Sequence, residues 1–173
     1  NYAVQVVATI GGLSTSVDYI ITVAPSVINI TTSSNNLNLY TLAGSPSCPV
    51  TITFNISAAV TIGSLTTSSP ALTTGTFASG STITINNSGR IAGKGGDGGD
   101  DAGHNLVTCP NKDGKPGGNG LDIACGGVTI NNSGTIGGGG GGGGAGADLG
   151  GGNPCFSFYA GTGGGGGAGS TPG

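Results

Sequence analysis

Three groups of side chains in this sequence could do chemistry. The first is a polar cluster, Asp101, His104, Asn105, Asn111, Lys112, Asp113 and Lys115, within residues 100–119. The second is an aromatic group, Phe156, Phe158 and Tyr159, beside Asn153 and Pro154 within residues 149–162. The third is the set of four cysteines, Cys48, Cys109, Cys125 and Cys155. General acid–base catalysis needs titratable groups placed as pairs with opposed proton affinities. Here the acidic residues are seven scattered Asp with no Glu, and His104 is the one histidine. No Ser/His/Asp set stands out, so no catalytic residue is assigned and an enzyme is not expected. Clustered aromatics concentrate binding energy at interfaces and stack on sugars, which makes the second group a candidate recognition surface. They could equally close the end of a small core. The polar cluster reads as recognition loop or as plain solvated loop.

The cysteines form no CxxC pair and His104 has no companion, so a zinc site has little support. Disulfides or buried thiols fit better, with Cys109 and Cys125 the first candidates for a structural pair, although four cysteines allow about three connectivities. Residues 95–102 and 117–124 loosely follow the glycine–aspartate repeat of calcium-binding β-rolls, but they are not successive turns and carry Ala at the apolar position. Gly93-Lys94 is followed by Gly95 rather than Ser or Thr, which rules out a phosphate loop. No metal and no cofactor are expected.

The elements that must position these groups are unusual. Hydrophobic residues make up 35% and charged residues only 6%, the net charge is −3, and nothing resembles a basic patch. Nucleic acid is therefore not an expected partner. No apolar run of about 18 residues exists to span a membrane as a helix. All but six of the 40 glycines lie from Gly89 onward, a composition boundary at Ser88. The chain starts at Asn1, which suggests a piece of something longer.

Residues 1–24 read as a hairpin. Tyr2, Val4, Val6 and Ala8 alternate before Gly11-Gly12, and Val17, Tyr19, Ile21 and Val23 alternate after it. The pattern resembles the last strands of a fibronectin type III β-sandwich, which implies that 1–24 ends such a domain. Short Val/Ile/Thr-rich runs follow at 27–31, 38–42, 50–56 and 59–62, separated by Ser, Thr, Asn, Gly and Pro. Ile52, Phe54 and Ile56 alternate with Thr51, Thr53 and Asn55 and should face a core. Residues 64–81 read as a Ser/Thr-rich loop. The expected fold is all-β with little or no helix: a β-rich connector over 25–88 and a glycine-rich tip over 89–173.

An internal repeat leads into the glycine. Thr82-Ile83-Thr84-Ile85-Asn86-Asn87-Ser88-Gly89 recurs as Gly127-Val128-Thr129-Ile130-Asn131-Asn132-Ser133-Gly134, and each copy feeds a glycine run. In the first run Lys94, Asp97 and Asp100 fall at every third position, the period of an extended threefold helix without internal hydrogen bonds. Such a rod pairs sideways with neighbours provided nothing bulkier than hydrogen intervenes. The charged column should face solvent. The unbroken run Gly137, Gly138, Gly139, Gly140, Gly141, Gly142, Gly143 and Gly144 should lie inside a polyglycine-II sandwich, with 163–167 as a third, shorter rod.

The string from Val50-Thr51-Ile52-Thr53 through Val60-Thr61-Ile62-Gly63-Ser64 and Ser69-Pro70-Ala71-Leu72, on through the first repeat and its glycines to Gly96, resembles the glycine-rich C-terminal region of bacteriophage tail tip proteins. These are the host-specificity, or central tail fibre, proteins of lambda-like siphophages and, more distantly, the glycine-rich tip adhesins of T-even-like phages. The resemblance covers about residues 35–173 and implies a non-enzymatic receptor-binding adhesin at the distal tip of the virion tail. Glycine rods would form the scaffold, and the intervening loops would recognise an outer-membrane protein or surface glycan of the host. Its other partners would be tail proteins. Central fibres of this kind are commonly homotrimeric, whereas the T-even-like adhesins cap a trimer as single chains. A structural fibril or antifreeze-like polyglycine protein is the alternative class; its flat, regular faces would have no use for the charged and aromatic insertions.

Overall fold

The computed structural model describes residues 2–21, 26–99 and 113–144. Strands β1 (Tyr2–Ile10) and β2 (Leu13–Ile21) form the expected antiparallel hairpin, closed by Gly11 and Gly12 at φ 58° and 83°. Two successive positive φ values are what a two-residue turn of this twist requires, and glycine adopts them without steric cost.

From Val27 the chain changes architecture. It runs through β3 (Val27–Ile30), β4 (Ser34–Asn35), β5 (Leu37–Asn38), the single helical turn α1 (Leu39–Leu42), β6 (Thr51–Ile56), β7 (Thr61–Gly63), β8 (Leu72–Thr73), β9 (Thr82–Asn87), β10 (Arg90–Ala92), β11 (Leu121–Asp122), β12 (Val128–Asn132) and β13 (Thr135–Gly137). Every pairing among β3 to β13 is parallel. Three sheets result, ordered β3-β6-β9-β12, β4-β7-β10-β13 and β5-β8-β11. The chain visits them in rotation, so it winds as a three-sided parallel solenoid in which each coil stacks on the last. The fold is thus all-β with almost no helix, as the sequence suggests.

Stacking of like on like builds the core. Ile28, Phe54, Ile85 and Ile130 share one inward column, Ile62, Ile91 and Ile136 another, and Leu37, Leu72 and Leu121 a third. Phe54, Ile62, Leu72, Ile85 and Ile91 are completely buried. The expected inward set Ile52, Phe54 and Ile56 is confirmed at 1%, 0% and 1% exposure.

Two local expectations are corrected. Of the expected strand 38–42 only Asn38 is extended: its side chain accepts from the Thr41 amide and Leu39 is fully buried, so 39–42 turns once as a capped helix. Residues 64–81 are not all loop, because Leu72 and Thr73 form β8 between β5 and β11.

The repeated Asn-Asn-Ser-Gly is a solenoid corner. Its first Asn points outward and its second inward: Asn87 is 1% exposed, donates to Asn132 Oδ1 at 2.7 Å and to the Thr135 carbonyl, and accepts from the Gly89 amide. A Cβ at Gly89 would overlap the carbonyl oxygens of Ser57 and Val60, which makes glycine obligatory there. The ladders of the two long sheets continue past Ser88, since β12 and β13 stack on β9 and β10.

Candidate functional site: one end of a three-rod glycine bundle

Between β10 and β11, and again after β13, the chain leaves the solenoid as three extended segments: rod 1 (93–99), rod 2 (113–120) and rod 3 (137–144). They are joined by backbone hydrogen bonds at every third residue. The amides of Gly93, Gly96 and Gly99 donate to the carbonyls of Gly137, Gly140 and Gly143, so rods 1 and 3 run parallel. Gly139 and Gly142 donate to Gly118 and Lys115, while Lys115 and Gly118 donate to Asp97 and Lys94, so rod 2 runs against both. All these bonds are 2.8–3.0 Å long. An extended threefold chain has no internal hydrogen bonds, and this cycle of lateral donors supplies the missing partners.

Glycine is what permits the approach. A Cβ at Gly93 or Gly96 would strike the rod 2 backbone, at Gly114, Gly117 or Gly120 the rod 3 backbone, and at Gly139 or Gly142 the rod 1 backbone. Each rod thus turns one bare column toward the next. The column Gly114, Gly117, Gly120 was legible as a three-residue period, yet Lys115, Pro116 and Asn119 disguised it as loop.

Among the described residues the placement of the rods differs from the expected one. The all-glycine rod is not enclosed: Gly138, Gly141 and Gly144 are exposed, whereas Gly93, Gly95 and Gly96 of the charged rod are buried. The reason is geometric. Each rod packs against the other two and keeps one outward column, which on rod 1 carries Lys94 and Asp97 and on rod 3 is bare glycine. Of the charged column, Lys94 is half-buried and Asp97 exposed; Asp97 lies 3.6 Å from both Lys94 and Lys115. Ion pairs this exposed hold geometry more than they stabilise.

Of the polar cluster, the structure places Asp113 and Lys115 on rod 2, both exposed, rather than in an open loop. Asp101, His104, Cys109, Asn105, Asn111 and Lys112 lie outside the described residues, as do Asn153, Cys155, Phe156, Phe158, Tyr159 and the run 163–167. Cys125 is half-buried with a free thiol and Cys48 an exposed one, and the expected pairing with Cys109 falls outside the described residues. Among the described residues no three His, Cys, Asp or Glu side chains gather to hold a metal.

What the rods do fix is where the other segments start. Gly99, where residues 100–112 depart, is hydrogen-bonded to Gly143. The same segment rejoins rod 2 at Asp113, two residues from Lys115, whose amide and carbonyl bond Asp97 and Gly142. Residues 145–173 depart beside the same point. The opposite end of the bundle is the solenoid itself.

A parallel solenoid that hands two segments to one end of a glycine bundle suits a scaffold for binding, with nothing in its described residues arranged for catalysis. The comparison with protein families names that class: the model for the phage tail fibre adhesin Gp38 matches residues 25–173. The chain belongs to that family, which makes it a receptor-binding adhesin of the phage tail tip, carried on the virion. The match begins where the hairpin ends and the solenoid is about to start. No curated protein and no solved structure matches the chain.

Proposed function

We propose that this adhesin grips its host receptor, an outer-membrane protein or a surface glycan, with residues 100–112 and 145–173 acting together at the far end of the glycine bundle. The observation that carries this reading is the convergence of their three attachment points, Gly99, Asp113 and Gly144, at one end of rods whose backbone bonds hold them in register. The polar cluster around Asp101, His104 and Lys112 supplies charge-assisted hydrogen bonds, and Phe156, Phe158 and Tyr159 supply the apolar anchors. The role is adhesion without catalysis. Further glycine, notably 163–167, extends the three rods into a polyglycine-II sandwich. Residues 25–88 connect this tip to other tail proteins, and the assembled form is a homotrimer, which sedimentation of the isolated chain tests.

The decisive experiment exchanges residues 149–162 for a Gly/Ser segment of equal length. Host adsorption is expected to be lost while amide protection at Gly96, Lys115 and Gly142 persists. Phe156→Ala should show the same split in milder form. Unchanged adsorption and host range would refute the assignment.

A further inference from the structure

The widest sheet of the solenoid, β3-β6-β9-β12, presents an outer face made almost wholly of hydroxyls and amides. Thr53, Thr84 and Thr129 form one column. Asn29, Asn55, Asn86 and Asn131 form the next, tied head to tail by hydrogen bonds of 2.8–2.9 Å from each Nδ2 to the Oδ1 of the coil before. Ser88 and Ser133 meet beyond it at 3.2 Å. These groups are exposed or half-exposed. Every charged residue within 26–99 and 113–144 lies elsewhere: Arg90 on the second sheet, Asp122 on the third, and Lys94, Asp97, Asp113 and Lys115 on the rods.

A face needed only for solubility takes charge. A protein interface takes aromatic or aliphatic anchors, and a nucleic acid or anionic membrane takes lysine and arginine. Apart from Val27, which heads the threonine column on the first coil, this face has none of these along its threonine, asparagine and serine columns. It has instead a fixed lattice of neutral donors and acceptors, spaced about 4.8 Å between coils and about 6.6 Å along the strand. The ladder uses one N–H and one oxygen lone pair of each interior amide, so Asn55 and Asn86 each keep a planar donor–acceptor pair for the outside. Such a pair matches two adjacent sugar hydroxyls, each of which also donates and accepts.

Beside the lattice lies a cleft of about 550 Å³ between the turns 76–81 and 124–127, lined by Phe77, Ser81, Cys125 and Gly127. That volume falls within the roughly 300–1,000 Å³ of small-ligand sites. Gly127 stands next in the column after Thr51 and Thr82 and also lines the cleft, so the lattice and the cleft adjoin there.

We infer that this face is a second binding site, separate from the tip, for a neutral polysaccharide, whose chain lies along the asparagine ladder with one unit in the cleft. Hydrogen bonds exchanged with water are individually weak, so affinity per site is in the millimolar range and repetition along the polymer makes it effective. The site would hold the tip against the host envelope while the receptor is sought.

The test applies the full chain to an immobilised array of bacterial polysaccharides, neutral and anionic, alongside the variant Thr84→Glu/Thr129→Lys. The opposed charges sit directly across from each other, so the sheet is preserved, which a thermal melt verifies. Neutral polysaccharides should be retained, the variant should lose at least tenfold of that retention, and a bound oligosaccharide should shift the side-chain amide resonances of Asn55, Asn86 and Asn131. No retention of any neutral polymer would overturn the inference. So would equal retention by the variant, preference for anionic polymers, or resonance shifts confined to 100–112 and 145–173. The exchange of residues 149–162 should leave this retention intact, which separates its failure from that of the tip assignment.

Discussion

The solenoid and the glycine bundle solve the same problem by opposite means. In the solenoid every second residue of β6 and β9 faces inward, and all of these but Asn87 are branched or aromatic side chains that stack between coils, whose burial outweighs the entropy of ordering the strand. The bundle has no side chains to bury at its contacts. Its residues lose the most backbone freedom on folding, and only lateral hydrogen bonds and backbone dispersion oppose that cost. One region is stable because of what its side chains add, the other because of what glycine leaves out. A receptor-binding tip gains from the second solution. Rods without side chains can be joined by segments of any composition, since no core depends on those segments.

The comparison breaks most visibly at Phe54. Phe54→Ala removes a fully buried ring from the central column and should cost about 3–5 kcal/mol. Because the rods spring from β10 and β13, amide protection should fall in both regions together; survival of the solenoid with little change in its melt would show that the stacked columns are not its support. Gly142→Val comes next. Its Cβ would overlap the Asp97 carbonyl, an overpacking cost of about 3 kcal/mol that should melt the rods alone, reading out as lost protection at Lys115 and Gly96 with the strand amides unchanged. A third substitution probes a buried polar group of the solenoid, Asn87. Asn87→Ala strands the buried Gly89 amide, which donates to Asn87 Oδ1, and should cost about 2 kcal/mol in the equilibrium unfolding of the chain.

Much of the solenoid was legible as strands but not as a solenoid. The alternation around Ile52, Phe54 and Ile56 and the doubled Thr-Ile-Asn-Asn-Ser-Gly are local signals, and the structure uses both. Their stacking is not local: Asn55 meets Asn29 and Asn86 across 26 and 31 residues, and Asn86 meets Asn131 across 45, so unequal coils hide the period. A third copy, Thr53-x-Asn55-x-Ser57, was present in the sequence and would have revealed it. The rods were legible through their three-residue spacing, but their order was not. A glycine run carries no polar or apolar side to say which face is covered, and only the hydrogen-bond cycle decides that rod 3 stands open. The two candidate segments were legible as insertions between glycine runs; that they start from one end follows from the antiparallel course of rod 2, which its Lys115 and Pro116 concealed.

The smallest expected effect is the sharpest test of why glycine is there. Gly141 and Gly142 are neighbours in one rod with identical flanking sequence, so propensity, linker flexibility and composition treat them alike. The structure does not. A methyl at Gly142 meets the Asp97 backbone, whereas a methyl at Gly141 finds the Lys115 carbonyl at 3.7 Å, an ordinary contact on the exposed side. Gly141→Ala should therefore change stability by no more than about 0.5 kcal/mol, tilted toward a gain because alanine restricts the unfolded chain. Gly142→Ala should be clearly destabilising in the same thermal melt. Equal tolerance at both positions would mean that the run is a tether whose glycines serve freedom rather than contact, and equal intolerance would mean that the open face of rod 3 is covered in the intact protein.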